Sequence, residues 1–335
     1  MTEKVLVTGC SGFIGGWLVR KLRTDGHRVV GLDRVGPPRP KDLDDFIACD
    51  IRDGAALATA VQSVSADAVV HLAARTDLEE TRDIGGYAAN TIGVQNLIAA
   101  VRLTPSVRRV IYTSSQLVCR VGHVPAHDSE YCPNTLYGRS KVLTETIVRD
   151  QDGGGVEWCL VRPTTVWGPG MSPHYQSMLR FIRQGRYFHC GSAKLFKSYV
   201  YAQNIAHQYA RLLTADAARI HRSMFYLSDY RPLSLRDYTD GLAREMGAPP
   251  IPTLPLPLAR LLARAGDLVN ACGLKGFPFN SFRLNNILTE YVFDLSSTEA
   301  VCGPLPCTQE QGIRATAKWY ISSIEGSDAV DARDG

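Results

Sequence analysis

The run YGRSK places Tyr137 and Lys141 four residues apart, so both project from one face if the segment is helical. A phenol is a poor base near neutral pH. A neighbouring ammonium favours the phenolate and turns the pair into a proton acceptor and donor for an alcohol or a carbonyl. Upstream, RRVIYTSS supplies Thr113, Ser114 and Ser115 at the end of a strand-like segment, and Ser115 is the hydroxyl chosen to hold the substrate oxygen. Each feature has an ordinary explanation: Tyr and Lys at this spacing occur on any amphipathic helix, and a strand-end serine bonds its own backbone. Their combination is what points to catalysis.

Such a pair needs a redox partner, and the N-terminus offers a place for one. KVLVTGCSGFIG sets an apolar strand directly before Gly9, Gly12 and Gly15, with a helix from about Phe13. Glycines there allow a tight turn, close approach of the backbone to a pyrophosphate, and close helix–strand packing, while the helix N-terminus stabilises the phosphate charge. The strand RVVGLD ends at Asp33, where a carboxylate accepts the adenosine ribose hydroxyls of NAD and repels the extra phosphate of NADP. Arg34 beside it could take that phosphate, so NAD is the expected cofactor and NADP the alternative. Asp50 and Ile51, after the third strand, could border the adenine; a helix cap is the equal alternative for Asp50 or Asp53.

Elements that would position these groups alternate along the first half. Strands are expected at Lys4 to Thr8, Arg28 to Leu32, Phe46 to Asp50, Ala68 to Leu72, Arg109 to Thr113 and Glu157 to Arg162. Helices are expected from Phe13, from Gly54, around Asn90 to Arg102, and from Tyr137. This spacing predicts an α/β fold: a doubly wound parallel sheet of Rossmann type, with a smaller C-terminal α/β substrate lobe. The nucleotide-binding domain is assigned to 1–168, with returning segments near 197–206 and 223–240. The substrate lobe takes 169–196 and 241–325, and the polar stretch 326–335 is read as a disordered tail.

Composition narrows the class. With 45% hydrophobic and 21% charged residues the chain is globular, and a formal charge of +4 spread along it argues against a nucleic-acid surface. The apolar start runs into the glycine turn rather than a cleavage site, so a cytoplasmic location is expected. Nine cysteines stand singly without ligand spacing, so reduced thiols and no metal are expected. The stretch Leu254 to Leu274 is interrupted by Arg260, Arg264 and Asp267; it reads as an amphipathic helix packed on the protein, not a membrane span.

Taken in order, TGCSGFIG, HLAA at His71 to Ala74, NTIGVQN at Asn90 to Asn96, YTSSQLV, YGRSK, RPTTVWGPG and YVYAQNIA resemble the extended short-chain dehydrogenase/reductase family over roughly two thirds of the chain. The resemblance implies an NAD-dependent enzyme in which Tyr137 moves the hydroxyl proton. Lys141 would hold the ribose and lower the tyrosine pKa, and Ser115 would bind the substrate oxygen. It implies a cofactor path along Gly12 to Ile14, Leu72, Ala73, Ala74, Asn90, Thr113 and Pro163, and substrate contacts at Ser115, Gln116, Thr164 and Arg283.

Many such relatives modify nucleotide sugars, and the simplest expectation is a 4-epimerase working through a transient 4-keto sugar. A 4-ketoreductase or a non-standard dehydratase is the first alternative, and a hydroxysteroid-type alcohol dehydrogenase the second, since RPTTVWGPG is similar to that branch. Gln116 and Leu117 stand where 4,6-dehydratases carry an acidic pair, Cys119 where many sugar-modifying relatives have tyrosine, and Thr164 where many have asparagine. Arg180, Arg183, Lys194, Lys197 and Arg283 are candidate partners for a substrate diphosphate. A homodimer through the helices containing Asn96 and Lys141 is expected.

Overall fold

A computed structural model of the chain describes residues 3–271 and 279–331. The alternation of side chains along the strands decides how the sheet is covered. In β1 (Lys4–Thr8), Val5 and Val7 enter one apolar cluster and Leu6 the opposite one, as the two-residue period of a strand requires. The same division recurs in β4 (Ala68–His71), where Val70 and Val69 face opposite sides, and in β5 (Arg109–Thr113), where Ile111 and Val110 do. Both faces are therefore apolar, and both need helices over them.

They receive them. Helix α1 (Phe13–Thr24) and the helix Ala202–Thr214 cover one face through Leu18, Leu22, Ile205 and Tyr209. Helices α2 (Gly54–Val64) and α3 (Ala88–Arg102) cover the other through Leu57, Val61, Val94 and Leu97. With β2 (Arg28–Asp33), β3 (Asp45–Ala48), β6 (Glu157–Pro163) and the strand Ser223–Leu227, the sheet has seven strands, all parallel. Its order is Ser223–Leu227, β6, β5, β4, β1, β2, β3. Reversal of direction beside β1 opens a crevice at the carboxyl ends of the strands, where doubly wound folds bind ligands. Helix α4 (Leu136–Asp150) begins on the same side and packs on α3.

The chain divides into two compact units. The first holds 1–166, 199–230 and 293–307; the second holds 167–198, 231–292 and 308–335. The first unit thus ends its return at Tyr230 rather than near 240 and takes back a later segment, including the helix Ser296–Cys302, which lacks any strand or glycine signal in the sequence. Helices dominate the second unit, with two short strand pairs, Leu233–Ser234 with Phe196–Lys197 and Thr253–Leu254 with His189–Cys190. Its helix Leu256–Ala271 packs through Ala259 and Ala263 on Leu284, leaving Leu258, Leu261 and Leu268 exposed. Residues 272–274 of the predicted amphipathic stretch lie outside the described residues. The final helix runs Gln309–Asp331, so 326–331 of the expected tail is helical, and 332–335 lie outside the described residues.

Candidate active site

At the end of β1 the backbone turns so tightly that side chains have no room. Gly9 sits at φ +73°, and a Cβ there would lie 2.6 Å from the Ala73 nitrogen; at Gly15 a Cβ would lie 2.1 Å from the Gly9 oxygen. Gly12 is the exposed N-cap of α1, gives no side-chain cap, and no acidic residue follows in the first turn. The first N–H groups of α1, at Phe13, Ile14 and Gly15, thus keep the positive helix end open to an anion. Asp33 accepts from the Ser11 nitrogen at 3.1 Å and the Arg34 nitrogen at 2.7 Å, which fixes its carboxylate at the rim of the turn with lone pairs to spare. Leu72 and Ala73 close the other side through bonds to the Thr8 oxygen (3.1 Å) and hydroxyl (3.2 Å), and Ala74 follows them out of β4. This cradle fits a dinucleotide pyrophosphate.

Two expected neighbours of the adenine are otherwise occupied. Arg52 grips the Asp50 carboxylate through Nη2 at 2.6 Å and Nε at 3.0 Å, holding its pKa down to about 2, and Arg34 leans toward the same group at 4.0 Å. Strand β3 stops at Ala48, so Asp50 lies in the turn beyond it, and Asp53 is the residue that caps α2. Ile51 is buried against α3, where Gly93 makes room for it; it belongs to the core rather than to a ligand wall.

Thr135 caps α4 by accepting from the Gly138 nitrogen at 3.0 Å, and Tyr137 and Lys141 follow on its buried face. Lys141 Nζ donates to the Thr113 oxygen at 2.9 Å, and burial pulls its pKa down to about 8. Tyr137 lies with its ring centroid 6.0 Å from that of Tyr87. Ser115 opens a single 3-10 turn, Gln116–Val118; its Oγ accepts from the Leu117 nitrogen at 3.1 Å and keeps its own proton to donate. The structure therefore sets Thr113, Ser115, Tyr137 and Lys141 at the junction of β5 and α4. Gln116 reaches Thr165 at 3.4 Å through Nε2, while its buried Oε1 has no hydrogen-bond partner, an acceptor left for a ligand.

Behind this group lies a charged network absent from the sequence-based expectations. Glu145, one turn beyond Lys141, is fully buried and forms a bidentate pair with the equally buried Arg162, both contacts at 2.8 Å. Ser114 donates to its Oε1 at 2.6 Å and Tyr131 to its Oε2 at 2.9 Å; Arg162 further bonds the Asp128 oxygen and the Tyr226 hydroxyl. The bonds tie α4 to the ends of β5 and β6. His71, at the end of β4, accepts or donates at 2.8 Å with Thr8, and burial depresses its pKa to about 3, so it stays neutral.

Other expected contacts are spent inside the protein. Asn90 donates to Ser140 and to the Arg75 oxygen and accepts from the Arg75 nitrogen, so it braces α3 against α4. Thr164 is buried with its hydroxyl on the Leu227 oxygen and Ser228; Pro163 ends β6 paired with Leu227. Arg283 is exposed on the helix Ser281–Leu288 of the second unit. There Arg183 bonds the Met246 oxygen, Lys194 pairs with Asp237, and Lys197 is buried over the Tyr291 ring and bonded to the Asn286 oxygen.

Comparison with known proteins identifies the family. The description "NAD dependent epimerase/dehydratase family" matches residues 5–225. A 3-beta-hydroxysteroid dehydrogenase of Mycolicibacterium neoaurum is 30% identical over 70% of this chain and 68% of its own. An Escherichia coli N-acetyl-alpha-D-glucosaminyl-diphospho-ditrans,octacis-undecaprenol 4-epimerase is 26% identical over 98% of both chains. The crystal structure of Thermus thermophilus UDP-glucose 4-epimerase complexed with NAD shares the fold with a TM-score of 0.71 at 20% identity, covering 96% of this chain and 99% of that one. The chain belongs to the NAD dependent epimerase/dehydratase family, as an NAD-dependent enzyme of the extended short-chain dehydrogenase/reductase type.

Proposed function

We propose that the protein is a nucleotide-sugar 4-epimerase that oxidises a sugar hydroxyl, lets the 4-keto sugar turn, and reduces it from the other face. Bound NAD would supply the two-electron chemistry at the carbinol carbon. Tyr137 takes the hydroxyl proton as the carbonyl forms and gives it back on reduction. Lys141, desolvated and held on the Thr113 oxygen, keeps a positive charge beside that phenol, and Ser115 donates to the substrate oxygen. The glycine turn and Asp33 bind the dinucleotide at its pyrophosphate and ribose.

The observation that carries the sugar reading is Gln116. Its buried, unpartnered Oε1 beside Ser115 calls for a hydroxyl donor besides the one that reacts, which a polyhydroxylated substrate has and a mono-alcohol lacks. Gln116 and Leu117 offer no acid–base pair, which argues against 4,6-dehydration. Coverage supports a sugar over a sterol: the Escherichia coli 4-epimerase, named for a sugar carried on undecaprenyl diphosphate rather than on a nucleotide, matches 98% of the chain, the steroid dehydrogenase 70%.

A second reading, a hydroxysteroid-type dehydrogenase, draws on the exposed Leu258, Leu261 and Leu268 of the helix Leu256–Ala271, an apolar row suited to greasy substrates. Freshly purified protein, denatured and assayed by mass spectrometry for released dinucleotide, separates the two. Near-stoichiometric NAD, with conversion of a UDP-hexose to its 4-epimer, supports the first; an empty site that turns over only with added cofactor and a sterol rejects it. The same reading pairs two copies through α3 and α4, where Ile92 and Leu143 are exposed, and sedimentation equilibrium tests it. Among the described residues no helix is long and apolar enough to cross a membrane.

A further inference from the structure

The loop between Ser115 and α4 folds back on itself and brings together the side chains of Cys119, His123 and Cys132. The Arg120 nitrogen donates to the Cys132 oxygen at 3.0 Å and the Cys132 nitrogen to the Val118 oxygen at 3.1 Å, so the backbone itself sets Cys119 beside Cys132. A tight turn closed by His123 N to Arg120 O at 3.1 Å, with Gly122 at φ +89°, returns His123 to the same spot. The ligand atoms of Cys119, His123 and Cys132 all lie within 4.8 Å of one another.

We propose that Cys119, His123 and Cys132 form a binding site for one zinc ion, which staples this loop shut beside the candidate active site. Two sulfurs and an imidazole are the donor set that selects a soft divalent metal over magnesium or calcium. Tetrahedral zinc at its usual bond lengths holds such atoms on the order of 3.5–4 Å apart, so only a small closure of side chains is required. His123 Nε2 meets Glu130 Oε1 at 2.6 Å, and the other Glu130 oxygen accepts from the Ala126 nitrogen at 2.6 Å. A carboxylate fixed in this way orients a ligating imidazole. Cys119 is buried, whereas His123 and Cys132 are half-buried, which leaves an entry for the ion and the fourth position to solvent. The ion would lock Tyr131, next to Cys132, in its bond to Glu145.

The test uses the full chain, purified under a non-thiol reductant and titrated with cobalt(II), then zinc. Expected are one cobalt per chain, an intense four-coordinate visible spectrum with a thiolate charge-transfer band, and displacement by zinc. Cys132→Ser should weaken the charge-transfer band, since one of its two thiolates is lost, and His123→Ala should weaken uptake. Glu130→Gln should lower affinity about 10–100-fold while keeping the band. Circular dichroism and NAD binding verify that each variant is folded, and the milder Glu130→Gln carries the test if a cysteine variant is not. A pale six-coordinate cobalt spectrum would overturn the proposal. So would a band unmoved by Cys132→Ser, or a Cys119–Cys132 disulfide whose reduced form takes up no metal.

Discussion

Replacing Arg162 by Met would leave the Glu145 carboxylate in place with only the looser Arg149 guanidinium, 3.9 Å from its Oε2, as counter-charge. The buried carboxylate would keep two neutral donors, Ser114 on one oxygen and Tyr131 on the other, and lose both charge-assisted bonds at 2.8 Å. Because Glu145 is 0% exposed, water cannot substitute. Removing one partner of such a pair costs about 3–5 kcal/mol, a shift of roughly a hundredfold to several thousandfold in the folded-to-unfolded ratio. Glu145→Gln strands the guanidinium and should cost a similar amount. The double variant should cost less than the sum, because no ion is then left alone, giving a coupling energy well above the few tenths of a kcal/mol seen for independent sites. Equilibrium urea denaturation of the four proteins, followed by far-ultraviolet circular dichroism, measures the cycle. Single variants within about 1 kcal/mol of the parent, or strictly additive losses, would refute the claim that this pair holds α4 against β5 and β6.

Tyr137→Phe should lower kcat by roughly 10²–10⁴-fold with NAD affinity nearly unchanged; unaltered turnover would remove Tyr137 from the chemistry. Gly15→Ala puts a methyl 2.1 Å from the Gly9 oxygen. It should destabilise the fold by roughly 1–3 kcal/mol and strip copurifying NAD, read by melting temperature and mass spectrometry. Lys141 titrates near 8 when folded against 10.5 when unfolded. The unfolded chain therefore binds more protons between these values, and the penalty for burying the ammonium, fully present below about 8, is relieved as pH rises through the window. Lys141→Met should flatten that rise in a pH series of denaturation curves; an unchanged slope would assign it to another group.

Strands that face two cores were legible from apolar runs alone, which is why β1 and β5 match their expected limits. The glycine turn was equally legible, because its constraint is local and steric. The grip of Arg52 on Asp50 and the seat of Ile51 in the Gly93 notch were not legible, because both depend on packing that sequence spacing does not encode. Glu145 had a signal, its place one turn after Lys141 on the same helix face, but only the fold shows that Arg162 is buried opposite it. Cys119 and Cys132 read as single thiols because a backbone bridge, not a short motif, joins them.

The strand Ser223–Leu227 has a consequence for how the chain is made. It is the outer partner of β6, and the segment 293–307 joins the same unit later still. On a ribosome, β6 emerges with an open edge that stays unpaired until some sixty further residues have been added, several seconds at roughly 5–20 residues per second. An open strand edge is a template for pairing with another chain. Truncation between 166 and 223 would therefore leave β6 with an open edge, prone to pair with another chain.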